Sequence, residues 1–351
     1  MNDASLENDR KVARWLFVLC GLVFAMVILG GVTRLTGSGL SMVDWRPIMG
    51  VLPPLGADDW ERAFELYQQS PEFRLVNPDM DVGGFKGIFW LEYLHRLLGR
   101  LIGLAFALPF VWFVWKGYIR KREWPKYALM FVLGGLQGLL GWYMVKSGLV
   151  DDPRVSQYRL AAHLVAAISI YAYMFWVALS LLQRERQTIR HPWFGRTVAL
   201  AVLVLITVVS GAFVAGLDAG LVFNTFPKMG DYWIPPGAFA IEPKWLNLFE
   251  NVAAVQFDHR ILAITTFFTI VVYWWFAGRT PMPRRLRRGV HALLHVAVLQ
   301  VALGISTLLL MVPTILGAAH QANALILFTV VLYLCHGFLH VDAGAEVVPA
   351  A

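Results

Sequence analysis

The stretch EYLHRLLGR, residues 92–100, sets a carboxylic acid, an imidazole and two guanidinium groups at the head of an apolar run that continues LIGLAFALPFVWFVW. Glu92 and His95 are three residues apart and share one face of a helix. A carboxylate there, in a low-dielectric setting, suits proton transfer or the stabilisation of a developing cation. The structural alternative is an ion pair from Glu92 to Arg96, four residues on, and the two readings are compatible. Three more histidines, His163, His259 and His320, share the setting of His95, each a turn or two inside an apolar run. An ionisable residue in such a place reads as functional by default, with a hydrogen-bonded core histidine as the competing reading.

The elements that must carry these side chains follow from composition. The chain has 351 residues, 58% of them hydrophobic and 15% charged, with a mean hydropathy of +0.59. Those values lie outside the range of soluble domains and predict a polytopic membrane protein. Eight runs are long enough to span a hydrocarbon core, at 14–33, 88–115, 127–147, 158–183, 194–217, 254–277, 289–311 and 315–339. The first is too long for a signal-peptide core, and the acidic residues of MNDASLENDR are foreign to a transit peptide, which favours a bacterial plasma membrane. Cys20 and Cys335 fall inside spans and read as buried structural thiols.

Lys and Arg crowd alternate loops: Arg10, Lys11 and Arg14; Lys116, Arg120, Lys121, Arg122 and Lys126; Arg184, Arg186, Arg190 and Arg196; Arg279, Arg284, Arg285, Arg287 and Arg288. The positive-inside rule places these in the cytoplasm, so both termini are inside and the long segments 34–87 and 218–253 are outside. The same pattern accounts for the formal charge of +7 without a nucleic-acid partner.

An internal repeat organises the spans. ILGGVTRLTGSGL (28–40) resembles VVSGAFVAGLDAGL (208–221), EYLHRLLGRLIGL matches QFDHRILAITTF, LQGLLG (136–141) matches LQVALG (299–304), and RLAAHLVAA matches LGAAHQANA. His95 aligns with His259 and His163 with His320, and the offsets shrink in order as 180, 164, 163 and 157 residues. The expected fold is all-α and integral to the membrane, with eight helices in two tandem pseudo-symmetric four-helix bundles, residues 1–190 and 191–351, related by an axis along the membrane normal. Each half then supplies two imidazoles at matched height, roughly 5–10 Å below the outer surface at 1.5 Å of rise per residue. Facing histidines in a helix bundle suit the axial positions of a haem iron, whereas zinc would take further Cys, His or carboxylate ligands.

Gly99, Gly103, Gly134, Gly135, Gly138 and Gly141 remove bulk near the sites, which serves either close helix packing or a flat macrocycle. Arg96 and Arg260 directly follow their histidines and are suited to haem propionates, with Arg100 and Arg159 nearby; snorkelling to headgroups is the alternative. His191, His291, His295, His336 and His340 fall outside the sites. The halves differ at one position, where Glu92 aligns with Gln256. That difference predicts an electron-transfer haem between His259 and His320 and chemistry between His95 and His163.

The runs GGVTRLTGSGLSMVDWRPIMGVLPP (30–54), EYLHRLLGR, AGLDAGLVFNTFPKMG (215–230), FDHR (257–260) and GAAHQANA (317–324) resemble the haem A synthase family of the mitochondrial and alpha-proteobacterial type. The resemblance covers all eight spans. It implies oxidation of the C8 methyl of haem O to a formyl group through two hydroxylations, with water as the oxygen source. It further implies haem b as cofactor on His259 and His320, substrate haem O on His95 and His163, and Glu92 as the catalytic carboxylate. The partners it implies are haem O, membrane lipid, a haem O synthase and a quinone or other electron acceptor; a homo-oligomer is compatible with it. Some bacterial members carry cysteine pairs in external loops, and this chain has none there. The competing function is a dihaem membrane cytochrome b that passes electrons from quinol to a partner.

Overall fold

The computed structural model describes residues 3–43, 52–148, 155–183, 188–342 and 347–348. Residues 44–51 of the first-loop motif, and Arg184 and Arg186, lie outside them. Among the described residues, eight helices are long and apolar enough to cross a membrane, as the hydropathy predicts. They are α1 (Asp3–Leu35), α4 (Val82–Trp115), α5 (Trp124–Gly148), α6 (Gln157–Leu182), α7 (Phe194–Gly216), α9 (Val252–Gly278), α10 (Arg284–Leu309) and α11 (Thr314–Leu339). Backbone groups in hydrocarbon must be satisfied within their own segment, which is why apolar runs of this length become helices. Three short helices sit in the connections: α2 (Ala57–Gln68), α3 (Pro71–Leu75) and α8 (Asn247–Glu250). Among the described residues the strands are two-residue ladders, β1 (Thr188–Ile189) with β3 (Val341–Asp342) and β2 (Met282–Pro283) with β4 (Val347–Val348).

The chain packs as two units, Gly21–Ala167 and Met1–Cys20 with Ile168–Ala351, so α1 and α6 each contribute to both. In the second unit α7 packs on α9, α9 on α10, α10 on α11 and α11 on α7, closing a four-helix ring. In the first unit α4 packs on α5. Leu101, Leu104, Leu108 and Val111 of α4 and Leu129, Val132, Leu136 and Leu139 of α5 point outward, as lipid-facing side chains must. Cys20 and Cys335 are buried and free.

Two helices overrun the sequence boundaries. α1 begins at Asp3 rather than near residue 14, and α4 begins at Val82 rather than near residue 88. The cause in α4 is a cap: the Asp81 carboxylate accepts from Gly84 N–H at 2.7 Å and starts the helix early. At 34 residues α4 is roughly 50 Å long, more than the ~30 Å a hydrocarbon core needs. His95 therefore sits thirteen residues into its helix rather than seven. The extra turns are covered by the first long connection. Phe64 and Tyr67 of α2 pack on Phe85, Phe89 and Tyr93 of α4, with Trp60 and Phe73 at the margins. Ser70 caps α3 by accepting from Phe73 N–H, with Pro71 at its first position.

Candidate functional site

Both histidine pairs are built on one plan, and each imidazole lies against a glycine of the next helix. A methyl group added at Gly30 on α1 would stand 3.2 Å from Nε2 of His95 on α4, and one at Gly141 on α5 would stand 3.0 Å from Cε1 of His163 on α6. In the other unit the same test gives 3.0 Å from Gly211 on α7 to Cε1 of His259 on α9, and 2.8 Å from Gly304 on α10 to Cε1 of His320 on α11. A methyl at Gly304 would force the His320 ring to shift, and one at Gly30, Gly141 or Gly211 would press its ring aside by a few tenths of an ångström. Within each pair the imidazoles lie in electrostatic reach of each other, so each unit gathers two ring nitrogen donors from separate helices. Gly134, Gly135, Gly138 and Gly103 face open space instead, and Gly99 touches Met26.

Three of the four rings are oriented by a polar neighbour that sequence reasoning did not single out. Ser210 Oγ lies 2.8 Å from Nδ1 of His259, Gln137 Nε2 lies 3.1 Å from Nδ1 of His163, and Gln300 Nε2 lies 3.2 Å from Nδ1 of His320. Ser210 Oγ, which donates to the Thr207 carbonyl, accepts from Nδ1–H of His259 and leaves its Nε2 free to ligate, whereas the amide nitrogens of Gln137 and Gln300 fix the rings of His163 and His320 as donors. The signal for the two glutamines was present, since LQGLLG and LQVALG align them with each other. Position 30, which the repeat aligns with Ser210, is glycine and offers His95 no hydroxyl.

Glu92 is 2% exposed and fully engaged. Its Oε2 accepts from Ser41 Oγ at 2.7 Å and from Met42 N–H at 2.8 Å, and its Oε1 accepts from Arg96 at 2.5 Å. Arg96 also donates to the Met42 carbonyl at 3.0 Å. The turn TGSGLSM after α1 thus folds back on α4, helped by Gly37 at φ +63°. Charge-assisted bonds of this kind are roughly twice as strong as neutral ones and hold the carboxyl group in a fixed place. Ser41 and Met42 were visible in the sequence only as part of a resemblance.

The other unit answers with inverted polarity. Gln256 Nε2 donates to the Phe223 carbonyl at 3.0 Å, and Arg260 donates to the same carbonyl at 2.7 Å and to Thr225 O at 2.8 Å. An amide donates where the carboxylate accepts, so the loop is gripped without a base. Arg96 and Arg260, read from sequence as propionate partners, are anchored to the loops by these bonds, and their remaining N–H groups are the ones left for an anion. Arg159 lies over the Tyr143 ring at 5.5 Å. The outlying histidines have structural partners: His336 bonds Ser180 Oγ at 3.0 Å, and His291 accepts from Trp274 Nε1 at 2.9 Å.

The arrangement fits a haem better than a caged ion. Among the described residues no three His, Cys, Asp or Glu side chains converge on a metal position. What each unit brings together is two imidazoles, each against a glycine of a neighbouring helix and three of the four with a polar neighbour at Nδ1, a donor set that suits a bis-histidine iron.

The model of one protein family, described as COX15-CtaA cytochrome oxidase assembly protein, matches residues 13–332. The chain belongs to the COX15-CtaA family. Among similar proteins, heme A synthase of Nitrosospira multiformis is 50% identical over 338 residues, 95% of each chain. Heme A synthase COX15 of Arabidopsis thaliana is 49% identical over 343 residues, 94% of this chain and 75% of the relative, and the Homo sapiens protein of that name is 49% identical over 342 residues, 94% and 83%. The COX15-CtaA match reaches all eight apolar helices and contains both histidine pairs, Glu92 and the loop that holds it.

Proposed function

We propose that this chain makes haem A, the product named in its relatives, and that it does so from haem O by oxidising the C8 methyl to a formyl group. In this reading residues 1–190 and 191–351 are tandem halves. His95 and His163 hold the substrate haem O, and His259 and His320 hold a resident haem b. The observation that carries the choice of chemistry over electron transfer is the one-sided carboxylate. Glu92 is buried and held by three partners, while Gln256 fills the matching place. An electron wire has no use for such a difference.

Each hydroxylation adds the oxygen of one water to the methyl carbon and releases two protons and two electrons. After the second, the geminal diol loses water to leave the aldehyde. Haem b, when bound, supplies one-electron transfer toward a quinone or another acceptor. The role of Glu92 is to take the protons, and its bonds to Ser41, Met42 and Arg96 keep its position constant while it does so. Arg96 and Arg260 fix the external loops over the two sites and present their free N–H groups to propionates. The membrane is a bacterial plasma membrane, with both sites toward the periplasm.

The deciding experiment is chromatography of haems extracted from cells that make haem O, with and without this chain. Haem A is expected only where the chain is present. Unchanged haem O beside an intact haem b spectrum would favour the dihaem cytochrome instead.

A further inference from the structure

One buried acid lies outside the machinery described above. Glu72 on α3 is 6% exposed, in the connection between α1 and α4, and its Oε2 has no hydrogen-bond partner among the described residues. An unpartnered buried carboxylate oxygen is costly and calls for an explanation. Its surroundings supply one. Tyr67, wholly buried on α2, hydrogen-bonds the carboxyl, and Glu92 on α4 acts on both groups electrostatically. The Tyr67 hydroxyl in turn accepts from Asn77 Nδ2 at 2.9 Å. Asn77 lines an open depression of about 470 Å³ with Asp79, Asp81 and Gly84, at the outer end of α4. A buried acid and a phenol thus lie within electrostatic reach of Glu92, and the phenol bonds a residue that lines an open depression.

We propose that Glu72, with Tyr67, is the proton exit of the site, receiving the proton that Glu92 takes up and passing it to water at the Asn77 depression. The proposal rests on the reading that Glu92 accepts protons from the substrate. No hydrogen bond joins the two carboxyls, so in the first transfer the Glu92 carboxylic acid loses its proton through water to the Glu72 carboxylate and becomes a carboxylate again. In the second, Glu72 gives that proton to water entering from the Asn77 depression, while the Tyr67 hydroxyl holds its carboxyl in place. Both carboxyls return to their starting form, and no electron moves.

The titration of Glu72 matches the task. Burial first, and then the negative charge of Glu92, push its pKa up from 4.5 to about 7, against the lowering effect of the Tyr67 hydrogen bond. The groups that face it are Tyr67 from α2 and Glu92 from α4, the latter paired with Arg96. An acceptor must be ionised, so turnover should fall as pH drops below about 7.

The test is the initial rate of haem A formation between about pH 5.5 and 8.5 in membranes that contain the full-length chain and haem O, with haem b content measured in parallel. Glu72→Gln is expected to keep haem b and bound haem O, to slow conversion roughly tenfold, and to lose the acid-side fall in rate. Glu72→Asp is expected to restore most of the rate with that fall moved to another pH. Tyr67→Phe keeps the ring against Phe85, guards against misfolding of the first variant, and should slow conversion with a larger solvent isotope effect. Glu72→Gln with wild-type rate and pH profile would overturn the exit, as would slowing in both variants with an unshifted profile. No haem A from the unaltered chain would instead sink the underlying function.

Discussion

At the scale of single residues, two side chains from matching stretches of the repeat do different work. Glu92 is held by Ser41, Met42 and Arg96 and makes no contact that a ligand must complete. Glu92→Gln should therefore fold, bind both haems and leave haem O unconverted, with the rate down by at least about a hundredfold. Haem extracts and absorption spectra of one membrane preparation read both properties, and normal turnover would remove Glu92 from the chemistry. His259 is oriented by Ser210 Oγ at 2.8 Å. Second-sphere partners of this kind typically tune a site by 10–100-fold. Ser210→Ala should weaken haem b retention and shift its reduction potential, while His259→Ala should deplete it; a wild-type haem b spectrum after His259→Ala would defeat the ligation. The histidines were legible because a polar residue in an apolar run stands out, and because the repeat marks them twice. Ser210 was not, since a serine near a helix end in a membrane span is ordinary.

At the scale of elements, the glycine notches decide how close neighbouring helices come to the rings. A methyl at Gly304 would meet His320 Cε1 at 2.8 Å, below any normal carbon contact, yet the colliding atom ends a side chain that can swing. Gly304→Ala should accordingly leave the α10–α11 packing intact and displace the imidazole. The expected result is normal membrane insertion with a perturbed or lost haem b spectrum. An unaltered spectrum would mean that the ring does not need the notch. Stretches rich in glycine were visible in the sequence, but most of those singled out face open space. Four glycines that matter are those whose neighbour across the helix pair is a histidine, and that is a property of two helices at once. The overrun of α4 has a similar origin. Hydropathy ends where apolar residues end, whereas the helix ends at its Asp81 cap, under the aromatic cover of α2 and α3.

At the scale of the whole molecule, the charged loops give a direct test of orientation. Single cysteines at Lys121 and Lys228, with Cys20 and Cys335 replaced, should differ in intact cells. A membrane-impermeant thiol reagent is expected to label Lys228→Cys and to spare Lys121→Cys until the cells are opened; the reverse pattern would invert the topology. By itself the sequence determined the eight helices, the doubled plan and the four histidines. Span length, charge alternation and repeat offsets are properties of a line, and hydrocarbon leaves an apolar run of about 20 residues little choice but a helix. Tertiary structure decided the rest. Ser41 and Met42 reach Glu92 across about fifty residues of chain, and Glu72 becomes a buried acid only because α2, α3 and α4 close an aromatic cover around it. The difference is physical: helix formation is governed by local backbone satisfaction, whereas burial and hydrogen-bond partners depend on which surfaces meet. That is why EYLHRLLGR showed which residues were unusual, while the structure showed what holds its glutamate and which second acid stands behind it.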